Sequence, residues 1–206
     1  MWTTGAKTGF GTARGTDSLV YTVGRGVATE MFHPRIDTPS VRTSQLLISD
    51  GETFTDREDR EDREDRDTVH RTRVLDRRGL TYRVVNTDKD GDDRITKTYV
   101  TDPSSSTVLV DVRFRSLTGE PFDVYVLHDP ALDNNGTDDR GRSRAGSLLA
   151  REPDMGSALV AYPALGRTSS GFQGVSDGWT DLADDHEMDW TYRAREPGNV
   201  VQTGHT

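Results

Sequence analysis

Apolar residues in this chain come in short runs of period two, broken by Gly, Pro, Asp and Asn. No stretch long enough for a full helix keeps a period of about 3.6 residues. That pattern restricts the chain to strands. The clearest run is 107–115, where Val108, Val110, Val112 and Phe114 point one way and Asp111, Arg113 and Arg115 the other. Those four apolar residues are expected in the core. Residues 18–23 and 27–32 flank Gly24-Arg25-Gly26 and read as a hairpin. Further strands are expected at 45–49, 53–55, 80–86, 95–101, 122–127, 147–151, 158–162 and 171–175, and one short helix at 181–188. Many short strands with regular turns argue an all-β fold, an antiparallel sandwich.

Composition limits what such a sandwich does. The 206 residues fit one domain, 1–206. Only 32% are hydrophobic against 30% charged, and the net charge is −9. A nucleic-acid partner is excluded on that balance, because nothing neutralises phosphate in bulk. Lys7, Lys89 and Lys97 are the only lysines among 26 basic residues, and most acids are aspartate. An Asp-rich, Lys-poor surface suits concentrated salt, where carboxylate repulsion is screened. The melting temperature is therefore expected to rise between ~0.1 and ~2 M potassium chloride. A flat or falling curve in a thermal scan would contradict a salt-adapted surface. The chain has no cysteine, hence no disulfide or thiolate chemistry. No apolar run reaches the ~18 residues a membrane span needs. The first residues show neither a basic nor an apolar signal region, which gives a cytoplasmic expectation.

Two polar stretches interrupt the strands. Arg57-Glu-Asp, Arg60-Glu-Asp and Arg63-Glu-Asp form a tripeptide repeat inside a charged insertion, 56–67, expected to be a solvated loop with weak pairing. Residues 129–146 read as a second long loop. Its Asn135-Gly-Thr137 matches the glycosylation sequon, a chance match without a secretion signal.

Three stretches are candidates for function. Residues 171–192 hold Trp179 and Trp190 among Asp177, Asp181, Asp184, Asp185 and Asp189. Indoles beside carboxylates serve as a sugar platform, as an anchor in a partner interface, or as a core pair closing one end of a β domain. Residues 33–39 present His33, Arg35 and Asp37 on a loop stiffened by Pro34 and Pro39. The arginine and aspartate pair with each other or with a partner. Asp88, Asp90 and Asp92 with Gly91 resemble the front of a calcium loop, but Lys97 stands where a bidentate glutamate belongs. The competing reading is a hairpin turn, and no cofactor is expected otherwise. The five histidines lack ligand spacing, no Gly-x-Ser-x-Gly elbow exists, and Gly9-Phe-Gly11 is not a nucleotide fingerprint.

Five motifs in order carry a family resemblance: KTGFGTA at 7–13, PRIDTP at 34–39, NTDKDG at 86–91, LLARE at 148–152 and GVSDGWTDL at 174–182. Together they resemble the N-terminal domain of bacterial and archaeal glucoamylases and glucodextranases, glycoside hydrolase family 15. The resemblance implies a large antiparallel sandwich of the galactose-mutarotase-like kind. In that family it precedes an (α/α)6 barrel carrying both catalytic glutamates, which inverts the anomeric centre of a glucan. It implies no catalytic residue in this chain, an accessory role beside such a barrel in cis or in trans, and an oligosaccharide as the whole enzyme's substrate. The alternative is an independent carbohydrate-binding module. On the same resemblance the chain stops before the sandwich closes, as a truncated product, half of a split gene, or a domain with a separate life.

Overall fold

The computed structural model describes residue 3 and residues 5–12, 19–59 and 68–206. Among these are sixteen strands. In chain order they are β1 (Gly9–Thr12), β2 (Val20–Gly24), β3 (Val27–Phe32), β4 (Pro39–Ser49), β5 (Thr55–Arg57), β6 (Thr68–Asp76), β7 (Thr81–Asp88) and β8 (Asp93–Thr101). There follow β9 (Val108–Ser116), β10 (Asp123–Pro130), β11 (Asp139–Arg144), β12 (Ser147–Arg151), β13 (Gly156–Val160), β14 (Thr168–Phe172), β15 (Ala194–Gly198) and β16 (Val200–His205). One α-helix, α1 (Gly178–Asp185), lies between β14 and β15. The pairings are antiparallel and the all-β sandwich expectation holds. The chain divides into two compact units, Met1–Thr38 with Glu58–Pro121, and Pro39–Arg57 with Phe122–Thr206.

In the first unit β1, β2 and β3 form one antiparallel meander, and β6 to β9 form another. The β2–β3 hairpin turns on Arg25 and Gly26, both at positive φ (49° and 74°). Paired positive φ values are what a two-residue hairpin of matching twist needs, and glycine meets the demand at least cost. Tyr21, Val23, Ala28, Tyr82, Val84 and Tyr99 pack as the core, with Tyr21 and Tyr99 stacked at 5.8 Å. Burying aromatics of this size lets few side chains cover much area, which offsets the low apolar content.

The expectation for β9 needs correction. Its register sets Val112 opposite Lys97, Val110 opposite Tyr99 and Phe114 opposite Ile95, all three partners buried. The inward face is the expected one. Yet Val110 and Val112 are 40% and 43% exposed, and Val108 and Phe114 only half-buried. β9 is the last strand of its sheet. Alternation identifies a face and does not say how far the cover reaches.

In the second unit β4, β10, β16 and β14 lie side by side, with β5 on β4. A second sheet runs β13-β12-β11-β15. β16 is paired on both sides, with β10 and with β14. Leu47, Tyr125, Leu127, Val201, Leu182 and Met188 form the core where α1 packs. Between the sheets the filling is small and polar. Gln202 Nε2 donates to Leu149 O (3.1 Å) and Ser170 Oγ (2.8 Å), and Ser143 Oγ meets Ser170 Oγ at 2.8 Å. Hydrogen bonds of this kind remove most of the penalty for burying polar groups.

Two further expectations are corrected. Residues 129–146 are not one loop, because 139–144 form β11. The helix occupies Gly178–Asp185 rather than 181–188, because Asp177 caps it earlier. The charged insertion begins as structure: Arg57 ends β5 and Glu58 is 2% exposed, far from a solvated loop. Residues 60–67 of that insertion, and Ser18 of the first hairpin, lie outside the described residues. No helix among the described residues is long and apolar enough to cross a membrane.

Candidate functional site

Residues 171–192 are organised by one aspartate. After β14 the chain turns, with Val175 N and Ser176 N donating to Phe172 O (3.1 and 2.9 Å). Asp177 then caps α1. Its Oδ1 accepts from Trp179 N (2.9 Å) and Thr180 N (3.0 Å), and its Oδ2 from Thr180 Oγ1 (3.2 Å) and from Gly174 N. Such a cap stabilises by about 1–2 kcal/mol. Gly178 lets the first helical turn lie on β16, since a Cβ there would stand 2.2 Å from Thr203 Oγ1. The helix ends at His186, whose φ of 69° is left-handed and whose N donates to Leu182 O at 2.9 Å.

The far end of the helix is tied to the sheet. Ser49 Oγ donates to His186 O (2.8 Å), and Thr55 Oγ1 to Leu182 O (3.2 Å). Asp181 is 3% exposed and accepts from Trp190 N at 2.7 Å. Burial pushes its carboxyl up, and the Asp189 and Asp185 carboxylates add to this. The indole of Trp179 is half-buried against the α1 core, with the Arg57 guanidinium 5.1 Å from its ring centre. Trp190 tilts against Tyr192 at 6.3 Å, and Arg195 lies 3.6 Å over the Tyr192 ring and 5.6 Å over Phe172. These cation–π contacts stiffen the 190–195 segment.

Asp177, Trp179, Asp181 and Trp190 are thus brought together, with both aspartates turned to backbone N–H groups. His33, Arg35 and Asp37 belong to the first unit. There His33 N donates to Thr38 O and Thr38 N to Arg35 O, each at 3.0 Å. Arg35 Nη2 meets Asp37 Oδ2 at 2.6 Å, with side chains 74% and 58% exposed. A pair so exposed contributes ~0–1 kcal/mol to stability. In the calcium-like stretch, Asp88 Oδ2 accepts from Gly91 N (2.8 Å) and Asp92 N (3.1 Å), closing the β7–β8 turn with Gly91 at φ 90°. Among the described residues no group of three His, Cys, Asp or Glu side chains is placed to hold a metal ion.

Sequence reasoning missed a buried acid cluster in the second unit. Asp129 is 4% exposed and pairs with Arg42 (3.1 Å). Burial pushes its carboxyl up to about 6, the arginine opposing. Asp139 is fully buried and accepts from Leu132 N at 3.3 and 3.4 Å. Burial raises it to about 7, and the neighbouring Glu152 and Asp129 carboxylates add to the rise. Nearby His128 meets Ser157 Oγ at 3.2 Å, and burial pushes its imidazole down to about 4. Perturbed groups of this kind occur at catalytic sites and in structural networks alike. Here Asp129 Oδ2 meets Arg42 and the Asp139 carboxylate meets the Leu132 N–H, while Asp129 Oδ1 is buried without a hydrogen-bond partner among the described residues.

This architecture recurs in known proteins. The model of the family "Glucodextranase, domain N" matches residues 1–206, and the chain belongs to that family. It is similar to a glucoamylase of Clostridium sp. (strain G0005), 29% identical over 208 residues, spanning 98% of this chain and 29% of that protein. It is also similar to a solved bacterial glucoamylase complexed with acarbose, with a TM-score of 0.91 and 27% identity, spanning 99% of this chain and 30% of that one. The chain therefore spans less than a third of the length of these relatives.

Proposed function

We propose that this chain is a non-catalytic accessory domain of a glucoside-hydrolysing enzyme, docking on an (α/α)6 catalytic barrel in cis or in trans. The observations that support the reading are the match of the whole chain to the domain N family and its likeness, at a TM-score of 0.91, to less than a third of a solved bacterial glucoamylase. The chemistry agrees. Inverting hydrolysis needs two carboxyls roughly 6.5–9.5 Å apart facing a sugar, one of them a raised acid. The raised acids here, Asp129 and Asp139, are buried against protein groups. The loops at 33–39 and 174–190 are the contact candidates, with Trp179 or Trp190 as anchor. Truncating the anchoring tryptophan, Trp179→Ala or Trp190→Ala, is expected to cost about 2 kcal/mol or more of docking.

The purified chain is expected to turn over neither maltose, isomaltose nor dextran. It is expected to bind a separately produced glucoamylase barrel and to raise the barrel's melting temperature. Turnover by the chain alone, lost on replacing one carboxylate, would overturn the reading. So would the absence of any binding or stabilisation. The second reading is an independent carbohydrate-binding module using Trp179 and Trp190, whose side chains are only half-buried; sugar binding lost in Trp179→Ala and unaffected by any barrel would favour it.

A further inference from the structure

In the first unit the sheet β6-β7-β8-β9 ends on two strands of 9 residues each, β6 and β9. Among the described residues no strand pairs with the outer edge of either. Such an edge presents a row of backbone donors and acceptors that another strand can take up. The two edges differ. β6 is irregular, its register with β7 shifting between Val74 and Asp76. Paired with a second β6 about its middle residue, Thr72, it would set Arg71 against the partner's Arg73. A bulge and facing like charges both guard an edge against pairing.

β9 has neither guard. Its register with β8 runs without a shift from Asp93 opposite Ser116 to Thr101 opposite Val108, and it contains no proline and no lysine. Apolar side chains are exposed on both of its faces, Val110 and Val112 on one and Leu109 on the other. Its residue order is also self-complementary. Two β9 strands paired antiparallel about Val112 set Val112 against the partner's Val112 and Val110 against the partner's Phe114. On the other face Asp111 meets the partner's Arg113, and two-fold symmetry forms that contact twice. Directly opposite residues share a face, so apolar groups meet on one side and opposite charges on the other. Moving the centre by one residue either way sets Asp111 or Arg113 against its own copy, which like charge disfavours. The two charges are free to turn outward, with side chains 63% and 79% exposed and 3.4 Å apart along one face of the strand.

We propose that two copies of this chain associate through β9, antiparallel about a two-fold axis at Val112, so that the sheet continues from one copy into the other. The proposal goes beyond the docking reading and stands independently of it. Sedimentation of the full chain would be followed against concentration in ~0.2 M salt, which screens the net charge of −9 on each copy. A reversible dimer is expected with Kd on the order of 100 μM, since an interface of one strand pair is small. Asp111→Arg and Arg113→Asp are each expected to weaken it about tenfold or more, because like charges then face each other twice. Mixing the two single variants is expected to give a heterodimer of parental affinity, since each supplies the sign the other lacks. The double variant is expected to dimerise by itself, and a variant that had merely misfolded would show neither recovery. Trp179→Ala and Trp190→Ala are expected to leave the dimer unchanged. A monomer at every concentration up to ~500 μM would overturn the proposal. So would a dimer indifferent to both single variants, no recovery on mixing, or growth beyond the dimer, which would place β9 on β6 of the next copy. A chain that stays monomeric alone, and binds a glucoamylase barrel only with β9 intact, would assign the edge to docking and overturn it too. The sedimentation assay contains no barrel, so failure of docking and failure of this pairing are distinguished.

Discussion

Lys97→Met is expected to destabilise the chain by about 3–5 kcal/mol, because it leaves a buried carboxylate without its counter-charge. Lys97 is 3% exposed and its Nζ lies 2.7 Å from Glu58 Oε2, on a side chain of zero exposure. Asn86 Nδ2 donates to Glu58 Oε1 (2.7 Å) and to Gly26 O (2.9 Å), and His70 Nδ1 meets Asn86 Oδ1 at 3.0 Å. Burial alone would lower the lysine pKa. The Glu58 carboxylate outweighs that and holds the ammonium above the usual lysine range. The ammonium is thus kept when folded, and removing one partner of the buried pair costs more than the pair contributed. Combining Lys97→Met with Glu58→Gln is expected to recover part of the loss, since the amide oxygen keeps an acceptor for Asn86 without a charge. Urea unfolding of the two variants and the parent checks this. A loss under about 1 kcal/mol in Lys97→Met would mean water reaches Glu58.

Nothing local in the sequence announces that pair. Glu58 sits in a charged tripeptide repeat, and Lys97 stands out only as the wrong residue for a calcium loop. They meet because β8 carries Lys97 to the inner face, one position in two, beside Ile95 and Tyr99. The strands that are legible, such as β7, β8 and β9, largely alternate along the chain. β11 does not look like a strand because its inward residues are Asp139, Gly141 and Ser143, with arginines outward. The pattern has period two, but small and polar groups fill the inner positions. Gly141 belongs there because a Cβ would stand 2.6 Å from Val200 Cγ1. β16 hides for the opposite reason. Its first five residues are all buried, so both faces are covered and no alternation shows. At the site, the Asp-Gly-Trp-Thr order at 177–180 is readable as a helix cap. Carboxylates beside indoles leave a sugar platform, a partner anchor and a core pair open alike, and only the structure shows Asp177 and Asp181 turned to backbone N–H groups. The acid cluster is not legible at all, since Arg42, Asp129 and Asp139 come from the separate strands β4, β10 and β11.

The acid cluster gives the protein a pH dependence with a definite sign. Stability is expected to fall as pH rises from about 4 to about 7.5, by up to about 4 kcal/mol. Asp139 is raised to about 7, first by burial. Its folded pKa lies above the unfolded value of about 3.9, so the folded state holds the proton longer. The contribution is complete below about pH 4 and is lost as pH climbs through about 7. Each tenfold change in proton affinity corresponds to about 1.4 kcal/mol, and the roughly thousandfold change at Asp139 gives the stated limit. Asp129, raised to about 6, acts in the same direction. His128, pushed down to about 4, acts in the opposite one, since its neutral ring is favoured on folding and stability is gained between about 4 and 6.5. These two contributions nearly offset each other, which leaves Asp139 in control. Asp139→Asn keeps an acceptor for Leu132 N–H and removes the titration. Urea unfolding at pH 4, 5.5 and 7.5 is expected to show the fall in the parent and a nearly flat profile in the variant. Equal slopes in the two proteins would show that water relieves the buried charge, and that Asp139 is not the source of the pH dependence.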